Sequence, residues 1–217
     1  RTVRQRRSLS SPWMVHHHCT VVRVSIHEFE VVVLGAGPAG EVFAGLSADA
    51  GFKTALVEQH LVAGECSYYA CMPSKALLRP GEVLDEARRM AGVSQLLGGA
   101  GLDADAVFAR RDEVIHNLDD SSQLPWIEER GIELFRGYGT ICGEREVRVG
   151  DDVLVADRAV AIATGSSASM PPIPGIAEAL IWNNRQGTTA EEVPKSLLIL
   201  GGGPVGCELA QACASLG

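Results

Sequence analysis

The sequence predicts an α/β fold, in which parallel strands are buried between helices. Two segments carry this prediction, because in each a short apolar run leads through a glycine-rich turn into a helix-forming stretch. Apolar runs of β-branched residues are typical of strands that are buried on both faces. The composition agrees: 46% of the 217 residues are hydrophobic, only 5% are aromatic and 24 are glycine. Small residues at this frequency suit close packing of helices against a parallel sheet.

The first segment begins with the apolar run 31–34, which predicts a strand. Gly35, Gly37 and Gly40 follow at once with the spacing G-x-G-x-x-G, and an alanine-rich stretch to residue 50 predicts a helix. In this context the first glycine permits a tight turn, the second lets a pyrophosphate approach the backbone, and the third lets helix and strand pack closely. The helix N-terminus then provides a phosphate site. The segment therefore predicts a Rossmann-like dinucleotide-binding unit.

The next strand supports the same interpretation. The run 52–57 predicts a strand that ends at Glu58. An acidic residue about twenty positions after the first glycine is where such units bind a ribose hydroxyl pair. We therefore predict Glu58, with Gln59 beside it, as cofactor contacts.

A second glycine fingerprint lies near the end of the chain. The run 197–200 predicts a strand, and Gly201, Gly203 and Gly206 follow with the same spacing before a helical stretch. The chain stops at Gly217, before a second strand can follow. Half of such a unit cannot bury its own sheet face, so we expect residues 191–217 to be the truncated start of a second nucleotide-binding domain. Residues 25–190 are expected to form the first domain.

Two cysteines, Cys66 and Cys71, stand five positions apart just downstream of the first fingerprint. They can form a disulfide only if a tight or helical turn brings their Cα atoms within about 4.4–6.8 Å. Pro73 suits the first turn of a helix, which we predict over 73–89. Cys71 would then lie at a helix N-terminus, where the dipole favours a thiolate. The spacing alone leaves two interpretations open, a redox-active disulfide or two free buried cysteines.

With both fingerprints in place, the sequence resembles the class I pyridine nucleotide-disulfide oxidoreductases. The segments that carry the resemblance are 35–40, Glu58, 64–66, 71–75, 163–165 and 201–208. The resemblance implies FAD in the first domain and NAD(P)H in the second, with electrons passing from nicotinamide through flavin to the disulfide. It implies that Cys71 is the sulfur next to the flavin and that Cys66 meets the substrate. It also implies that Lys75 lies near the flavin and pairs with Glu208.

The same resemblance assigns cofactor contacts to the two glycine turns and to the residues that match the family's flavin site. These residues are Gly35, Gly37, Pro38, Ala39, Gly40, Glu58, Gln59, Gly64, Glu65, Cys66, Lys75, Gly139, Thr164, Gly165, Gly201, Gly203 and Gly206. No metal site is expected.

The sequence departs from the family pattern around the cysteines. Ala63 replaces a usual glycine, Tyr68 stands at the usual Asn position and Ala70 at another usual glycine. Pro204 stands where glutathione-reductase-like members carry a gating tyrosine. Both cysteines and the Pro-Ser-Lys sequence remain, so these departures bear on the substrate and not on the redox pair.

The expected function is reduction of a small-molecule or protein-bound disulfide such as lipoamide, by a homodimer of the full-length protein. Two alternatives share the fingerprints. One is a flavoprotein that reduces quinones or metal ions with NAD(P)H, and the other is a nucleotide-binding fragment without catalysis. The 217 residues alone are expected to be inactive, because family members are about twice as long.

The middle of the first domain has weaker patterns. We predict helical structure over 102–129 with a break at Pro125, a strand at 132–136, short strands with turns over 141–155, and a core strand at 160–163. The short strands predict a small antiparallel insertion in the domain.

Charge and cysteine usage exclude several classes of protein. The net charge of −8 does not favour nucleic acid. The six cysteines have no compact framework typical of secreted proteins, and there is no apolar run long enough to cross a membrane. Residues 1–24 hold five arginines and no acidic residue. We interpret them as a non-native or disordered basic leader on a cytoplasmic protein, with a mitochondrial transit segment or a basic arm for an anionic partner as alternatives.

Overall fold

The structure is a computed structural model, and it describes residues 24–217. The predicted basic leader lies outside the described residues, apart from Val24. Six strands form one sheet in the order β3-β2-β1-β6-β5-β4. Their bounds are β1 Ser25–Leu34, β2 Thr54–Glu58, β3 Glu133–Arg136, β4 Gly139–Gly143, β5 Glu146–Val149 and β6 Asp152–Ile162. Strands β3, β2, β1 and β6 are parallel, whereas β5 and β4 continue the sheet in antiparallel fashion.

Within residues 24–217, seven α-helices surround or follow this sheet. They are α1 Pro38–Asp49, α2 Gly64–Tyr68, α3 Cys71–Arg89, α4 Ala104–Val114, α5 Leu124–Glu129, α6 Asn184–Thr188 and α7 Pro204–Leu216. Short 3₁₀ turns occupy Ser94–Leu96, His116–Leu118, Ser121–Gln123 and Ile176–Glu178. No helix within residues 24–217 combines the length and apolar character needed to cross a bilayer.

Strand β1 is the centre of the core because it is buried on both faces, as its continuous apolar run predicts. Val31 and Val33 pack on one face with residues of α1 and α5. Val32 and Leu34 pack on the other face, together with side chains of β5 and β6. The parallel register pairs the ends of β1 and β2, so the turn after Leu34 and the end of β2 lie at the same sheet edge.

A third apolar cluster joins α3, α4 and α7. Leu77 and Leu78 of α3 contact Val107 and Phe108 of α4 and Ala212 of α7. Helix α7, which belongs to the second fingerprint, therefore packs directly on the helix that begins at Cys71. The contact between α3 and α7 thus joins the segment that follows the first glycine turn to the helix that follows the second.

The predicted elements were mostly found, with four corrections to bounds. Helix α3 begins at Cys71 and not at Pro73, because Ser74 N–H already bonds the carbonyl of Ala70. The helical stretch predicted over 102–129 is interrupted between Val114 and Leu124, and Pro125 starts α5 instead of breaking a helix. Proline is tolerated there because the first-turn N–H groups have no intrahelical partner.

The other two corrections concern strands. The predicted strand at 160–163 is the end of one long strand, β6, that begins at Asp152 and pairs with β1 along its length. The strand predicted at 197–200 is absent: those residues are irregular, and Leu198 is 97% exposed. A strand needs a hydrogen-bonding neighbour, and no other segment of residues 24–217 pairs with this one.

Candidate functional site

The first glycine turn has one glycine that faces open space and two that face the chain. A Cβ at Gly40 would lie 1.8 Å from the carbonyl oxygen of Gly35, and one at Gly35 would lie 2.3 Å from the carbonyl oxygen of Ala163. Gly35 also has φ +102°, which side chains rarely adopt. At Gly37, by contrast, a Cβ would meet no protein atom within 4 Å. The turn therefore keeps a bare backbone and an open face at the N-terminus of α1, which is where a pyrophosphate fits.

The second glycine turn repeats this geometry. A Cβ at Gly206 would lie 2.6 Å from the carbonyl oxygen of Gly201, whereas one at Gly203 would meet nothing within 4 Å. Gly203 stands at the N-terminus of α7 as Gly37 does at that of α1. Both turns leave room at the N-terminus of a helix for the pyrophosphate of a dinucleotide, and the residues present fit a cofactor such as FAD or NAD(P)H.

Glu58 lies at the carboxyl end of β2 and is buried. Its carboxylate accepts hydrogen bonds from the backbone N–H of Ala36 at 2.8 Å and of His60 at 2.7 Å. These bonds fix the carboxylate beside the glycine turn, and each oxygen keeps a second lone pair for another donor. Glu58 is therefore placed where it can accept from a ribose hydroxyl while it holds the turn in shape.

Helix α2 starts against the same turn. The Ala63 N–H donates to the carbonyl of Ala36 at 2.8 Å, and a Cβ at Gly64 would lie 2.7 Å from Gly37 Cα. Gly64 has φ +61° and Ala63 has φ +80°, so an alanine occupies a left-handed conformation that costs about 1–2 kcal/mol relative to glycine. This close approach places Cys66, two residues further, next to the first glycine turn.

The two predicted redox cysteines flank one short turn, and both are free thiols. Cys66 belongs to α2 and Cys71 is the first residue of α3. Interaction with the Cys71 thiol raises the pKa of the Cys66 thiol, and burial acts in the same direction. Cys71 is exposed, whereas Cys66 is half-buried. The turn therefore places the two thiols close enough to influence each other, as a redox pair requires.

Lys75 and Glu208 join the two glycine motifs. Lys75 Nζ, one turn into α3, lies 2.5 Å from Oε1 of Glu208 in α7. The hydrogen bonds of Lys75 and Ser74 lower the pKa of Glu208, and the Glu208 carboxylate raises the pKa of Lys75. Ser74 itself donates to the Cys71 carbonyl at 3.3 Å. The pair therefore sits one helical turn from the cysteines as an ionised cation and anion.

Glu65, assigned to the cofactor by resemblance, makes its contacts elsewhere. Its carboxylate accepts from Nε of Arg185 at 2.6 Å and from Nδ2 of Asn184 at 2.9 Å. A second guanidinium nitrogen of Arg185 bonds the same carboxylate. Glu65 is thus engaged by α6, on the side of the cysteine turn that faces the connection to the second fingerprint.

The remaining residues that were predicted to contact the cofactor lie in different surroundings. Gly139 lies in β4, where a Cβ would come within 2.2 Å of Leu34 Cδ1, so its glycine has a packing role. Thr164 and Gly165 follow β6 at the same sheet edge as the first glycine turn and are exposed. Three others flank the nucleotide turns and are exposed: Pro38, Ala39 and Gln59.

Sequence reasoning missed two groups beside the cysteines. Glu41, in the first turn of α1, is half-buried; burial raises the pKa of its carboxyl, and its charge adds to the rise at Cys66. Helix α6 with Asn184, Arg185 and Thr188 is the second group. The run 183–186 carries a capping box, in which Asn183 and Gln186 cap each other's backbone. That pattern predicts a helix start and could have located α6, although not its partner.

The comparisons with known proteins agree with this geometry. A sequence model of the pyridine nucleotide-disulphide oxidoreductase family matches residues 29–217. A dihydrolipoyl dehydrogenase of Acholeplasma laidlawii is 35% identical over 196 residues, which are 88% of this chain and 57% of that protein. A mercuric reductase of Staphylococcus aureus is 29% identical over 88% of this chain and 35% of its own length.

Solved structures give the same result. The HOCl-induced flavoprotein disulfide reductase RclA from Escherichia coli superposes with a TM-score of 0.72 at 26% identity. The match covers 87% of this chain and 40% of that one. The chain therefore spans between about two fifths and three fifths of the length of these bacterial relatives, apart from the longer mercuric reductase.

Proposed function

The chain belongs to the pyridine nucleotide-disulphide oxidoreductase family, whose cofactors are FAD and NAD(P)H, and on that premise we propose that it supplies the flavin site and the redox cysteines of a disulfide reductase. In the whole protein, electrons from NAD(P)H would reach Cys66 and Cys71 and then a disulfide substrate such as lipoamide. The observation that carries this proposal is the placement of Cys66 in α2 and of Cys71 at the start of α3, beside a glycine turn whose central glycine, Gly37, faces open space.

The chain's own residues have distinct roles in this proposal. Gly37 and the N-terminus of α1 would bind the FAD pyrophosphate, with Glu58 accepting from the ribose. Gly203 and α7 would bind the pyrophosphate of NAD(P)H. The flavin, when bound, would carry two electrons from the nicotinamide to the disulfide. Lys75, held by Glu208 at 2.5 Å, would place a positive charge near the flavin and favour its electron-rich form.

The two thiols would have different roles in thiol–disulfide exchange with the substrate. The sulfur of Cys66 attacks one sulfur of the substrate disulfide as a thiolate, and a mixed disulfide forms as the first substrate thiol leaves. Cys71 then attacks Cys66, which closes the Cys66–Cys71 disulfide and releases the second substrate thiol. The raised pKa of Cys66 means that a base must take its proton at neutral pH.

The experiment compares electron acceptors in the flavin-loaded whole protein. We expect NAD(P)H oxidation with lipoamide, and we expect Cys66→Ser to abolish it while leaving reduction of a quinone intact. Lipoamide turnover by Cys66→Ser at the wild-type rate would contradict the proposal.

A second candidate function is NAD(P)H-dependent reduction of metal ions. The likeness to a mercuric reductase over 88% of the chain supports it, since a close thiol pair can bind a soft metal ion. Turnover with Hg²⁺ but not with lipoamide would favour this function. A flavin-loaded whole protein that reduces neither acceptor would favour the third, non-catalytic alternative.

A cytoplasmic homodimer remains part of the proposal for the whole protein. Size-exclusion chromatography with light scattering on the full-length protein tests the oligomeric state.

A further inference from the structure

Helix α6 contacts Tyr69, which lies between the redox cysteines. The carbonyl of Tyr69, the C-cap residue of α2, accepts from Asn184 Nδ2 at 3.2 Å and lies 3.1 Å from Thr188 Oγ1, whose single hydroxyl hydrogen also has the Asn184 carbonyl within reach at 2.9 Å. The last carbonyls of a helix have no intrahelical partner, and this one has two donors within reach on a helix more than 100 residues away in sequence. The backbone between Cys66 and Cys71 is therefore tied to α6 directly.

Side chains strengthen the same link. Glu65, next to Cys66, accepts from two guanidinium nitrogens of Arg185 at one oxygen, Oε1, and from Asn184 at the other, Oε2, at 2.9 Å. The Arg185 guanidinium also lies over the Tyr69 ring, with its carbon 4.5 Å from the ring centroid. Asn184 has one amide hydrogen for Glu65 and one for the Tyr69 carbonyl. A guanidinium that pairs with a carboxylate and also stacks on a ring is held in orientation more tightly than a point charge is.

The far side of α6 is fixed in the core. Thr188 is 2% exposed, and its carbonyl accepts from Nη1 of Arg111 at 2.6 Å. A second nitrogen of Arg111, a side chain that is 1% exposed, bonds the Ala190 carbonyl at 3.0 Å. Within the described residues, every buried side-chain nitrogen or oxygen has a hydrogen-bond partner. The α6 contacts are therefore a rigid support and not a loose surface association.

We propose that Asn184, Arg185 and Thr188 are positioning residues that hold the turn between Cys66 and Cys71, keep the two thiols in bonding reach and so favour the disulfide. The inference rests on the proposed function, because it concerns the same redox pair. It gives Glu65 a role as the anchor of the cysteine turn, in addition to the cofactor contact that the family resemblance implies. None of the three residues contacts a sulfur, so each acts through the turn.

The energetic argument follows from proximity. Forming the disulfide removes one hydrogen atom from each thiol, and an oxidant such as glutathione disulfide takes up these two electrons and two protons to become two thiols. A turn that is free to open in the dithiol state moves the sulfurs apart, which lowers the effective concentration of one thiol at the other. Loosening the turn should therefore favour the dithiol and make the disulfide easier to reduce.

The test is the thiol–disulfide equilibrium of the 217-residue chain in glutathione redox buffers. Trypsin releases residues 54–75 as one peptide that holds Cys66 and Cys71 and no other cysteine, so differential alkylation and mass spectrometry report this pair alone. We expect Arg185→Met and Thr188→Val each to lower the equilibrium constant for the disulfide about tenfold, which is about 30 mV for two electrons. Arg185→Lys, which keeps the charge but not the fork, should recover part of this change.

Arg158→Met is the matched control. Arg158 pairs with Glu30 at 2.9 Å and lies over the Phe52 ring at 4.6 Å, as Arg185 does with Glu65 and Tyr69, but far from the cysteines. We expect this variant to keep the wild-type equilibrium. Equal equilibrium constants in wild type, Arg185→Met and Thr188→Val would overturn the proposal, and so would an equal change in Arg158→Met.

Two further outcomes are distinguishable. A wild-type chain in which Cys66 and Cys71 never form a disulfide contradicts the proposed function as well. If circular dichroism shows that Arg185→Met or Thr188→Val does not fold, Asn184→Ala, which removes the amide and with it both donors to Glu65 and Tyr69, takes its place with the same expected shift. An unchanged equilibrium in Asn184→Ala overturns the proposal.

Discussion

At the scale of single residues, the glycines of one turn have different physical reasons for being glycine. Gly40 has no room for a side chain because the carbonyl of Gly35 would lie 1.8 Å from its Cβ. A Cβ at Gly37 would meet no protein atom within 4 Å, and Gly37 has an ordinary φ of −75°. A methyl group at Gly40 would disturb the fold itself, with a cost of the order of 1–3 kcal/mol or more for overpacking. A methyl group at Gly37 would disturb only what binds there.

Gly37→Ala should therefore leave the folded chain intact and weaken FAD binding at least about tenfold, or about 1.4 kcal/mol, because the methyl group occupies the approach of the pyrophosphate. Flavin retention after desalting and a titration with FAD measure this effect in the full-length protein. Gly101→Ala is the matched control, since a Cβ there also meets nothing within 4 Å. Equal flavin retention by Gly37→Ala and wild type would show that the first turn does not belong to the flavin site.

The residues that could be predicted from sequence are those whose role depends on local backbone geometry. The glycine spacing and the Cys66–Cys71 interval describe one turn each, so the pattern carries the geometry. The role of Glu65 could not be predicted in this way. Its partners Asn184 and Arg185 are more than 100 positions away, and only the packing of α6 brings them together.

At the scale of elements, the packing of α7 on α3 connects the two nucleotide motifs. Leu77 and Leu78 contact Ala212 across this interface, and Lys75 meets Glu208 at its edge. The first residue of α3 is Cys71. The lysine is thus fixed relative to the redox cysteines by the helix and relative to the second glycine turn by α7.

Lys75→Met should slow reduction of the flavin by NAD(P)H and shift the flavin potential to a more negative value, because the substitution removes a cation that favours the reduced ring. Stopped-flow absorbance of the flavin-loaded whole protein measures the rate. Arg79→Met, one turn further along α3 in an exposed pair with Glu82 at 3.3 Å, should change neither quantity. Matching rates in wild type and Lys75→Met would show that Lys75 is only a surface lysine.

The type of an element could be predicted from sequence where both its hydrophobic pattern and a packing partner lie within a short stretch of the chain. Strand β1 and helix α1 are followed within 25 residues by β2, which pairs with β1, and their type was predicted correctly. The run 197–200 has the composition of a strand but no pairing partner among the described residues, so its backbone is irregular. Strand β6 was predicted as separate pieces, because Asp157 and Arg158 form an exposed stretch between the buried residues near its start and the half-buried residues that follow.

At the scale of the whole molecule, the Lys75–Glu208 pair links the two fingerprints and should give stability that depends on pH. The folded chain lowers the pKa of Glu208 from 4.5, so this contribution is present above pH 4.5 and is lost as the pH falls through the folded value. The folded chain raises the pKa of Lys75 from 10.5. The stability that Lys75 contributes is therefore present below pH 10.5 and is lost as the pH rises through the folded value.

Urea unfolding at a series of pH values tests this window. The free energy of unfolding of wild type should exceed that of Glu208→Gln by at most about 1 kcal/mol, since Lys75 is 61% exposed. The difference should be constant at intermediate pH and should shrink in acid and in strong base. For Glu82→Gln, which removes an exposed partner of Arg79, we expect no such window. A difference for Glu208→Gln that grows in acid would have the wrong sign for an ion pair.

The central claim is that Cys66 and Cys71 exchange electrons with a flavin bound at the first glycine turn. The most direct measurement is an anaerobic titration of the flavin-loaded whole protein with one equivalent of NAD(P)H, which delivers two electrons. We expect the Cys66–Cys71 disulfide to open and a long-wavelength absorption band to appear from a Cys71 thiolate beside the flavin, a band that Cys71→Ser lacks. A wild-type flavin that bleaches completely, with no such band and the disulfide still closed, would contradict the account.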